Sequence, residues 1–259
     1  MTALTSSLLL AGCDSSVASK ENKEELVLKT LANCLHLTLN NKNLVNLNKI
    51  HMCPNVRILH AFDNKLTEIA PLVQTRYLNA AYLHNNLITG ILPDLGMHMK
   101  HLTRLYLNRN HISLFRGWAG VQGATLEELH IAGQSGGELT FEEASLKALA
   151  HCLKVLDVSH NGLTNLSQLS VLRSLRSFFL DNNRIGKISD VTAVTDRNPA
   201  LVVCSALNNP CTTGVAKLRQ CRDALVLSCA GIEMVNGKHI NAAEKTFLRE
   251  KTRRLANSS

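Results

Sequence analysis

The 259-residue sequence predicts an α/β solenoid, in which short strands from successive repeats stack side by side. Three observations predict this fold: an excess of leucine, an excess of asparagine, and a pattern that recurs every 22 to 27 residues. Leucine occurs 44 times and asparagine 24 times, whereas aromatic residues make up only 4% of the chain. With 45% hydrophobic and 19% charged residues, the chain has enough apolar side chains to bury a core.

The repeat follows the pattern L-x-x-L-x-L-x-x-N-x-L, and its clearest copy runs from Leu102 to Ile112. The pattern's asparagine position can be followed through eight copies, at Lys42, Asn64, Asn86, Asn110, Gln134, Asn161, Asn183 and Asn209. Eight copies in register predict a leucine-rich-repeat horseshoe of about eight repeats, of the 22-residue type. Each copy predicts one short strand whose alternate residues, such as Leu105 and Leu107, point into the core. The asparagine amide is expected to bond backbone groups that would otherwise be unpaired inside the coil.

A single repeat cannot bury its own apolar face, so a stack of repeats needs a cap at each end. We predict a helical N-terminal cap over 1–35, the repeats over 36–210, and a C-terminal cap with a basic helix over 211–259. The first cap is predicted as an amphipathic helix from Glu21 to Leu35, with Leu26, Leu28, Leu31 and Leu35 on its apolar side. In the second cap, Ile232–Gly237 predicts a last strand and turn, and Asn241–Leu255 predicts the basic helix.

Much of the formal charge of +8 lies near the C-terminus, because nine Lys or Arg residues but only four Asp or Glu residues follow Thr213. Such a tail attracts acidic partners, including nucleic acid, anionic lipid and the acidic tails of tubulin, although a solvated helix face is the simpler interpretation. The basic residues of the last helix are Lys245, Arg249, Lys251, Arg253 and Arg254.

The eight cysteines are scattered, with no CxxC pair and no zinc-type spacing. They predict reduced, mostly buried thiols and no metal site, whereas an extracellular receptor would require them to be oxidised. Leu9–Cys13 is similar to a bacterial lipoprotein cleavage box, but Met1–Ser7 contains no Lys or Arg and the apolar core is too short. Apolar runs such as Leu8–Ala11 also fall far below the roughly 20 residues of a membrane helix.

The residues between the core leucines are expected to face solvent on the concave side of the horseshoe. Four of the ten aromatic residues, Phe62, Tyr82, Tyr106 and Phe179, fall on these positions. Exposed aromatic residues beside polar ones are typical of a protein-binding face, although cross-strand stacking that only stabilises the sheet is the alternative. The predicted partner-binding residues are His60, Phe62, Tyr82, His84, Arg104, Tyr106, His130, Asp157, Phe179 and Asp181.

His60, His84 and His130 lie on nearby predicted strands, so a pH-sensitive or metal-binding patch is an alternative to ordinary polar contacts. The sequence contains no G-x-S-x-G, P-loop, Rossmann glycine pattern or H-E-x-x-H. We therefore expect neither an enzyme nor a cofactor.

The spacing of 22 residues and the ending at Asn209-Pro210 resemble the leucine-rich-repeat regulators of protein phosphatase 1 and their ciliary relatives. The resemblance extends over nearly the whole chain. Its residues are Lys42-Asn43-Leu44, the long repeat from Gln134 through Leu139, Phe141, Ser145-Leu146 and Leu149-Ala150 to Asn161, Gly237-Lys238-x-Ile240, and Phe247-Leu248. Leu4-Thr5 with Leu8–Ala11 also resembles the N-terminal helix of that family.

This resemblance implies a non-catalytic regulatory scaffold that binds the catalytic subunit of protein phosphatase 1, in a family associated with microtubules, centrosomes and basal bodies. The sequence lacks an R/K-V-x-F docking motif, since Lys154–Asp157 begins like one but has no aromatic residue. The phosphatase is therefore expected on the concave face. The alternative is a microtubule, centrosome or basal-body adaptor of cilia that binds tubulin and does not act on a phosphatase. Both hypotheses predict a cytoplasmic or cytoskeletal location, with neither nucleic acid nor a membrane as partner.

Overall fold

The computed structural model describes residues 2–14 and 23–257, and the chain forms two compact units, Met1–Leu149 (unit 1) and Ala150–Ser259 (unit 2). Unit 1 contains the helices α1 (Ser6–Gly12), α2 (Lys23–Ala32), α3 (Leu95–His98) and α4 (Glu143–Leu149), and 3-10 turns at Ile50–Met52 and Ala70–Gln74. Its strands are β1 (His36–Thr38), β2 (Ile58–His60), β3 (Ala80–Tyr82), β4 (Arg104–Tyr106), β5 (Leu114–Phe115), β6 (Glu128–His130) and β7 (Thr140–Phe141).

In unit 1, each repeat contributes one three-residue strand, and the strands pair in parallel in the order β1-β2-β3-β4-β6. The register places the same repeat position side by side, with Leu37 opposite Leu59, Leu59 opposite Ala81, and Leu105 opposite Leu129. These middle residues are buried, while most residues on either side of them are partly exposed. The leucine-rich-repeat solenoid predicted from the sequence is therefore confirmed, together with its alternation of inward and outward positions.

The repeat asparagines form a buried ladder of side-chain amides, which we call the asparagine ladder. Asn110 accepts a hydrogen bond from the Ile88 N–H at 3.0 Å and donates to the carbonyl oxygens of Leu83 and Leu107 at 3.1 and 2.9 Å. Equivalent bonds are made by Asn64, Asn86, Gln134, Asn183 and Asn209. Lys42 is exposed, so the ladder begins one repeat later than the sequence pattern does. The amides pair backbone groups that water does not reach, as the pattern predicts.

The residue immediately before a ladder amide adopts the left-handed backbone conformation, a periodicity that the leucine pattern does not reveal. Asp63 and Asn85 have φ values of 54° and 55°, and these residue types tolerate such angles. His160 adopts the same conformation at 58°, and so does Arg109 at 56°, although arginine does not favour it. The turn is therefore imposed by the repeat as a whole.

The N-terminal cap differs from the prediction. Helix α2 ends at Ala32, and of its predicted apolar residues Leu31 is fully buried whereas Leu28 is 56% exposed; Leu35, which follows the helix, is 46% exposed. The predicted helix over Glu21–Leu35 is present but ends earlier, at Ala32, and of its four leucines Leu31 alone is buried; Glu21 itself lies outside the described residues. The amphipathic spacing is present, but most of those side chains have no core to enter.

Helix α1 covers the edge of the first repeat. Its first turn is capped by Thr5, whose Oγ1 accepts from the Leu8 N–H, and Leu9 is fully buried. Cys13 then forms an antiparallel bridge with Leu37 of β1. The segment that is similar to a lipoprotein box is thus folded onto the repeat core.

Unit 2 contains β8 (Val155–Asp157), β9 (Ser177–Phe179), β10 (Val203–Ser205), β11 (Met234–Val235) and β12 (Lys238–His239), and 3-10 turns at Ser167–Val171 and Pro210–Thr212. Its helices are α5 (Ile188–Thr195), α6 (Val215–Ser228) and α7 (Ala242–Asn257). Strands β8 to β11 pair in parallel, and β12 folds back antiparallel to β11 and ends the sheet.

The basic helix α7 is held to α6 by a charged pair. The Arg222 guanidinium donates to both carboxylate oxygens of Glu244, at 2.6 and 2.8 Å, and this contact raises the pKa of Arg222 and lowers that of Glu244. The predicted helix over 241–255 and the strand and turn before it are confirmed. Of the helices in residues 2–14 and 23–257, none has the length and hydropathy to cross a bilayer.

Candidate functional site

The outward side chains of β1 to β4 and β6, with the second residue after each strand, form a surface that we call the strand face of unit 1. The parallel register aligns these side chains in rows that run across the strands. Neighbouring strands lie about 4.8 Å apart, which is close enough for aromatic side chains in one row to touch.

The central row holds four aromatic rings in continuous contact, His60, Tyr82, Tyr106 and His130, which we call the ring ladder. The centroids of successive rings lie 4.5, 4.7 and 4.4 Å apart, and the rings are stacked within 7°, 22° and 5° of parallel. All four side chains are partly exposed. Because each tyrosine is stacked on both sides, the edges of its ring and its hydroxyl group are the parts left to meet a partner.

A second, shorter row lies beside the ring ladder. Phe62 stacks on His84 with centroids 4.5 Å apart and planes 9° from parallel. His60 of the ring ladder and Phe62 of the second row connect the two rows by an edge-to-face contact. Their centroids lie 6.2 Å apart at an interplanar angle of 84°. Six of the predicted partner-binding residues are thus brought into one aromatic cluster.

The two tyrosine hydroxyl groups have different environments. The Tyr106 hydroxyl donates to Oε2 of Glu128 on the next strand at 2.9 Å. Among the residues that the structure describes, none hydrogen-bonds the Tyr82 hydroxyl. A half-buried phenol without a partner is suited to bond a group on another protein.

The electrostatics of the cluster favour neutral rings. Burial lowers the pKa of His60, and nearby His36 lowers it further. Burial is also the main cause that lowers the pKa of His84. Burial, together with the bond to Glu128, raises the pKa of Tyr106 to about 12. At neutral pH His60, His84 and Tyr106 therefore present uncharged rings with polar atoms at their rims.

The other four predicted partner-binding residues, three of them charged, are divided between the two units. Arg104 lies at the outward start of β4 and is exposed. Asp157 and Phe179 end β8 and β9 in unit 2, and both are partly exposed. Asp181 is engaged by its own unit, because its Oδ1 accepts from the Ser205 hydroxyl and from the Leu207 N–H, both at 2.6 Å.

The histidines do not form the metal-binding patch that was considered as an alternative. His60 and His130 occupy the two ends of the ring ladder with both tyrosines between them, and His84 belongs to the other row. In the described ranges, the one group of side chains that is close enough to share a metal ion consists of Cys13, Cys34 and Cys53.

The sequence did not reveal this cysteine trio, because its members lie about 20 residues apart and follow no zinc spacing. No disulfide joins any of the eight cysteines, all of which lie in the described residues, and most of them are buried, as predicted. The buried ones are Cys34, Cys53, Cys204, Cys211, Cys221 and Cys229. Burial, reinforced by contact with Cys34, raises the pKa of Cys13 to about 12. The hydrogen bond to Cys53, with burial next, raises the pKa of Cys34 still further. The thiols of Cys13 and Cys34 are therefore protonated at neutral pH.

The predicted basic tail lies on α7. Arg249, Lys251, Arg253 and Arg254 are exposed, and Lys245 is partly exposed. Arg254 has a long contact with Glu250 on the preceding turn, at 3.8 Å. The helix thus presents a cluster of solvated cations.

Comparison with known proteins gives the same fold. A family model described as leucine-rich repeats (2 copies) matches residues 153–193. An internalin, InlC2, from Listeria monocytogenes superposes with a TM-score of 0.61 at 20% identity, covering 80% of this chain and 82% of that one. A leucine-rich-repeat protein of Leptospira interrogans superposes with a TM-score of 0.55 at 18% identity, over 85% of this chain and 58% of that one.

A second internalin from the same Listeria species, InlF, has a TM-score of 0.51 at 21% identity, and the match covers 82% of this chain. The chain spans about half of the length of that internalin, 51%. At these identities the likeness concerns the fold, and it agrees with the repeat register and the asparagine ladder. The chain has the fold of a leucine-rich-repeat protein.

Proposed function

We propose that the chain is a non-catalytic protein-interaction scaffold that binds its partner through the strand face of unit 1. The observation that carries this proposal is the ring ladder, which presents four partly exposed rings in one row. Tyrosine is enriched among the residues that dominate binding energies at protein interfaces. Extended repeat surfaces are also where solenoid proteins bind their partners.

The stacking supports binding as well as sheet stability. Rings that are held by their neighbours lose little conformational freedom when a partner covers them, which lowers the entropic cost of association. The unbonded Tyr82 hydroxyl adds a directional contact that sheet stability does not require. Arg104 and Glu128 flank the ladder and supply the polar rim that interfaces usually have.

The partner proposed first is the catalytic subunit of protein phosphatase 1, which is what the resemblance to its leucine-rich-repeat regulators implies. Val155–Asp157 forms β8 and Leu156 is buried, so the segment Lys154–Asp157 is not available as a linear docking motif. In this proposal the phosphatase contacts the strand face.

The test is a calorimetric titration of the purified chain with the purified phosphatase catalytic subunit. We expect the double substitution Tyr82→Ala/Tyr106→Ala to weaken binding by at least about 100-fold, because two central tyrosines are removed. Tyr77→Ala is the matched control, since Tyr77 is an exposed tyrosine that stacks on His101 outside the strands. Absence of binding by the wild type would exclude the phosphatase as the partner. Unchanged binding by the folded double variant would exclude the strand face of unit 1 as the binding surface.

The alternative function, an adaptor for microtubules, centrosomes or basal bodies, is favoured by the exposed cations of α7. Exposed charges are screened over about 8–10 Å at physiological salt, so binding to the acidic tubulin tails should fall steeply as salt rises. We expect Arg249→Glu/Arg253→Glu to abolish co-sedimentation with microtubules. Lys42→Glu/Lys65→Glu makes the same change in charge at exposed sites of unit 1 and should have little effect. Equal losses in both variants would indicate a nonspecific charge effect.

A further inference from the structure

The cysteine trio lies at the beginning of unit 1 and shares no residue with the ring ladder. The Sγ atoms of Cys13, Cys34 and Cys53 all lie within 4.8 Å of one another. Cys34 and Cys53 are buried, and Cys13 is partly exposed. Three separate segments therefore bring three sulfur ligands to one point that solvent reaches from one side.

Local backbone structure holds each cysteine in place. Cys13 closes α1 by donating its N–H to the Leu10 carbonyl, and it bridges to β1. Cys34 follows α2 and donates its N–H to the Leu31 carbonyl at 3.2 Å. Cys53 ends the 3-10 turn Ile50–Met52, with its N–H bonded to the Ile50 carbonyl at 2.9 Å. The sulfur atoms are thus fixed by the fold before any ligand arrives.

We propose that Cys13, Cys34 and Cys53 bind one zinc ion. Thiolate sulfur is a preferred ligand of Zn²⁺, with Zn–S distances of about 2.3 Å, which places sulfur atoms about 3.8 Å apart in a tetrahedral site. The present separations need to close by no more than about 1 Å to reach that geometry. Each thiol loses its proton when it binds the ion, and the three protons pass to solvent.

The fourth position opens on the side of Cys13, where two further candidate ligands lie. Asp14 directly follows Cys13, and its Oδ2 lies 3.5 Å from Nδ1 of His36. His36 in turn follows Cys34 by two residues, and the Cys34 thiol donates to the His36 carbonyl at 3.2 Å. Asp14, His36 and Cys34 line one cavity, so water can reach the site and supply the fourth ligand. The Asp14 carboxylate and the His36 imidazole do not belong to the group of ligand atoms that all lie within 4.8 Å of one another, so either side chain would have to move to bind the ion.

The zinc ion would connect α1, the end of α2 and the first 3-10 turn. Because α1 covers the edge of the first repeat, the site links metal binding to the stability of the N-terminal cap. A ligand that binds only the folded state raises stability in proportion to the logarithm of its concentration.

The test uses the reduced full chain, with Co²⁺ as a spectroscopic probe and Zn²⁺ as competitor. We expect one Co²⁺ per chain, a thiolate-to-cobalt charge-transfer absorption that Zn²⁺ abolishes, and a rise in melting temperature with Zn²⁺. Cys13→Ser should weaken binding by at least about 100-fold and remove the rise in melting temperature, because one of three sulfur ligands is lost. Cys152→Ser, which changes a partly exposed cysteine outside the trio, should behave as the wild type.

A second measurement does not depend on how the variants fold. In the wild type, Zn²⁺ should slow alkylation of Cys13 by at least about 10-fold, since a metal-bound thiolate is no longer free to react. Charge-transfer absorption that persists in Cys13→Ser, or no absorption in the reduced wild type, would overturn the proposal. A disulfide between two of the three cysteines, found by mass spectrometry in chain isolated without reductant, would replace the metal site with a redox pair.

Discussion

The strand faces of unit 1 and unit 2 follow the same repeat but fill its outward positions differently. In unit 1, two of the outward positions hold Phe62 and His84, whose rings stack on each other. The same repeat position in unit 2 holds Asp181, which accepts from the Leu207 N–H at 2.6 Å. Asn108 of unit 1 acts like Asp181, because its Oδ1 also accepts from a backbone N–H of the next repeat, that of Ala132, at 2.7 Å.

The repeat requires particular residue types at its inward and ladder positions, whereas its outward positions vary between the units. Inward leucines and ladder amides are present in both units, because the core and the buried backbone need them. The outward positions are required neither for core packing nor for pairing buried backbone groups. Where they carry Asp or Asn they brace the next repeat, and where they carry rings they leave a surface that a partner can use.

The largest expected effect contrasts two neighbouring residues of β9. Phe178 is fully buried and Phe179 is partly exposed. Phe178→Ala should lower the free energy of unfolding by about 3–5 kcal/mol, because it removes a large core side chain and leaves a cavity. Phe179→Ala should cost no more than about 1 kcal/mol. Urea denaturation measures both values, and equal losses would mean that the outward face of unit 2 is packed like a core.

The asparagine ladder should matter equally in the two units. Asn110→Ala and Asn183→Ala each leave a buried N–H and buried carbonyl groups without partners, so each should lower the free energy of unfolding by about 3 kcal/mol. Asn48→Ala, at an exposed asparagine, should cost less than about 0.5 kcal/mol. A loss confined to one unit would show that the ladder is not a common requirement of the repeat.

The ring ladder should show a smaller but specific coupling. A double-mutant cycle between Tyr82→Ala and Tyr106→Ala should give a coupling free energy of about 0.5–1.5 kcal/mol, since their rings stack directly. The comparison pair is Tyr77 and His101, whose centroids lie 5.9 Å apart and where Tyr77 is 52% exposed. Its coupling should be weaker. No coupling in the ladder would mean that the rings are adjacent without stabilising the sheet.

The sequence predicts the fold well, because the repeat pattern states which residues enter the core and which amides pair the backbone. It also predicts which aromatic residues face outward, since alternation along a strand has a period of two. His60, Tyr82, Tyr106 and His130 share one repeat position, so the sequence places them in one row, but it does not predict that their rings stack, because ring contact depends on the side-chain rotamers. The sequence also places a helical cap in 1–35, but it does not predict that Leu9 of α1 is buried more completely than most leucines of α2.

The cysteine trio shows a second limit of sequence reasoning. Ligand spacing indicates a metal site when the ligands come from one short loop, and Cys13, Cys34 and Cys53 come from three different segments. The same holds for the bond between Tyr106 and Glu128, which joins two strands that are 22 residues apart in the chain. The repeat pattern gives the register of the strands, but contacts between side chains of neighbouring repeats also depend on rotamers and on the loops between strands, which the pattern does not specify.

The smallest expected effect concerns protonation of the ring ladder. The fold lowers the pKa of His60 below its ordinary value of about 6.5, so the unfolded chain takes up a proton first as the pH falls. The contribution of His60 to stability is therefore constant above pH 6.5 and decreases as the pH falls below that value, until the folded pKa is passed.

Urea midpoints between pH 5 and 8 measure this effect, and His60→Gln should flatten the part of the profile that lies below pH 6.5. His84→Gln should act in the same direction, because burial lowers the pKa of His84 too. A pKa of His60 above 6.5, read from its imidazole resonances, would mean that attraction to Asp14 outweighs burial. A larger fraction of His60 would then be protonated near neutral pH, and the proposed interface would favour an acidic surface more than neutral rings do.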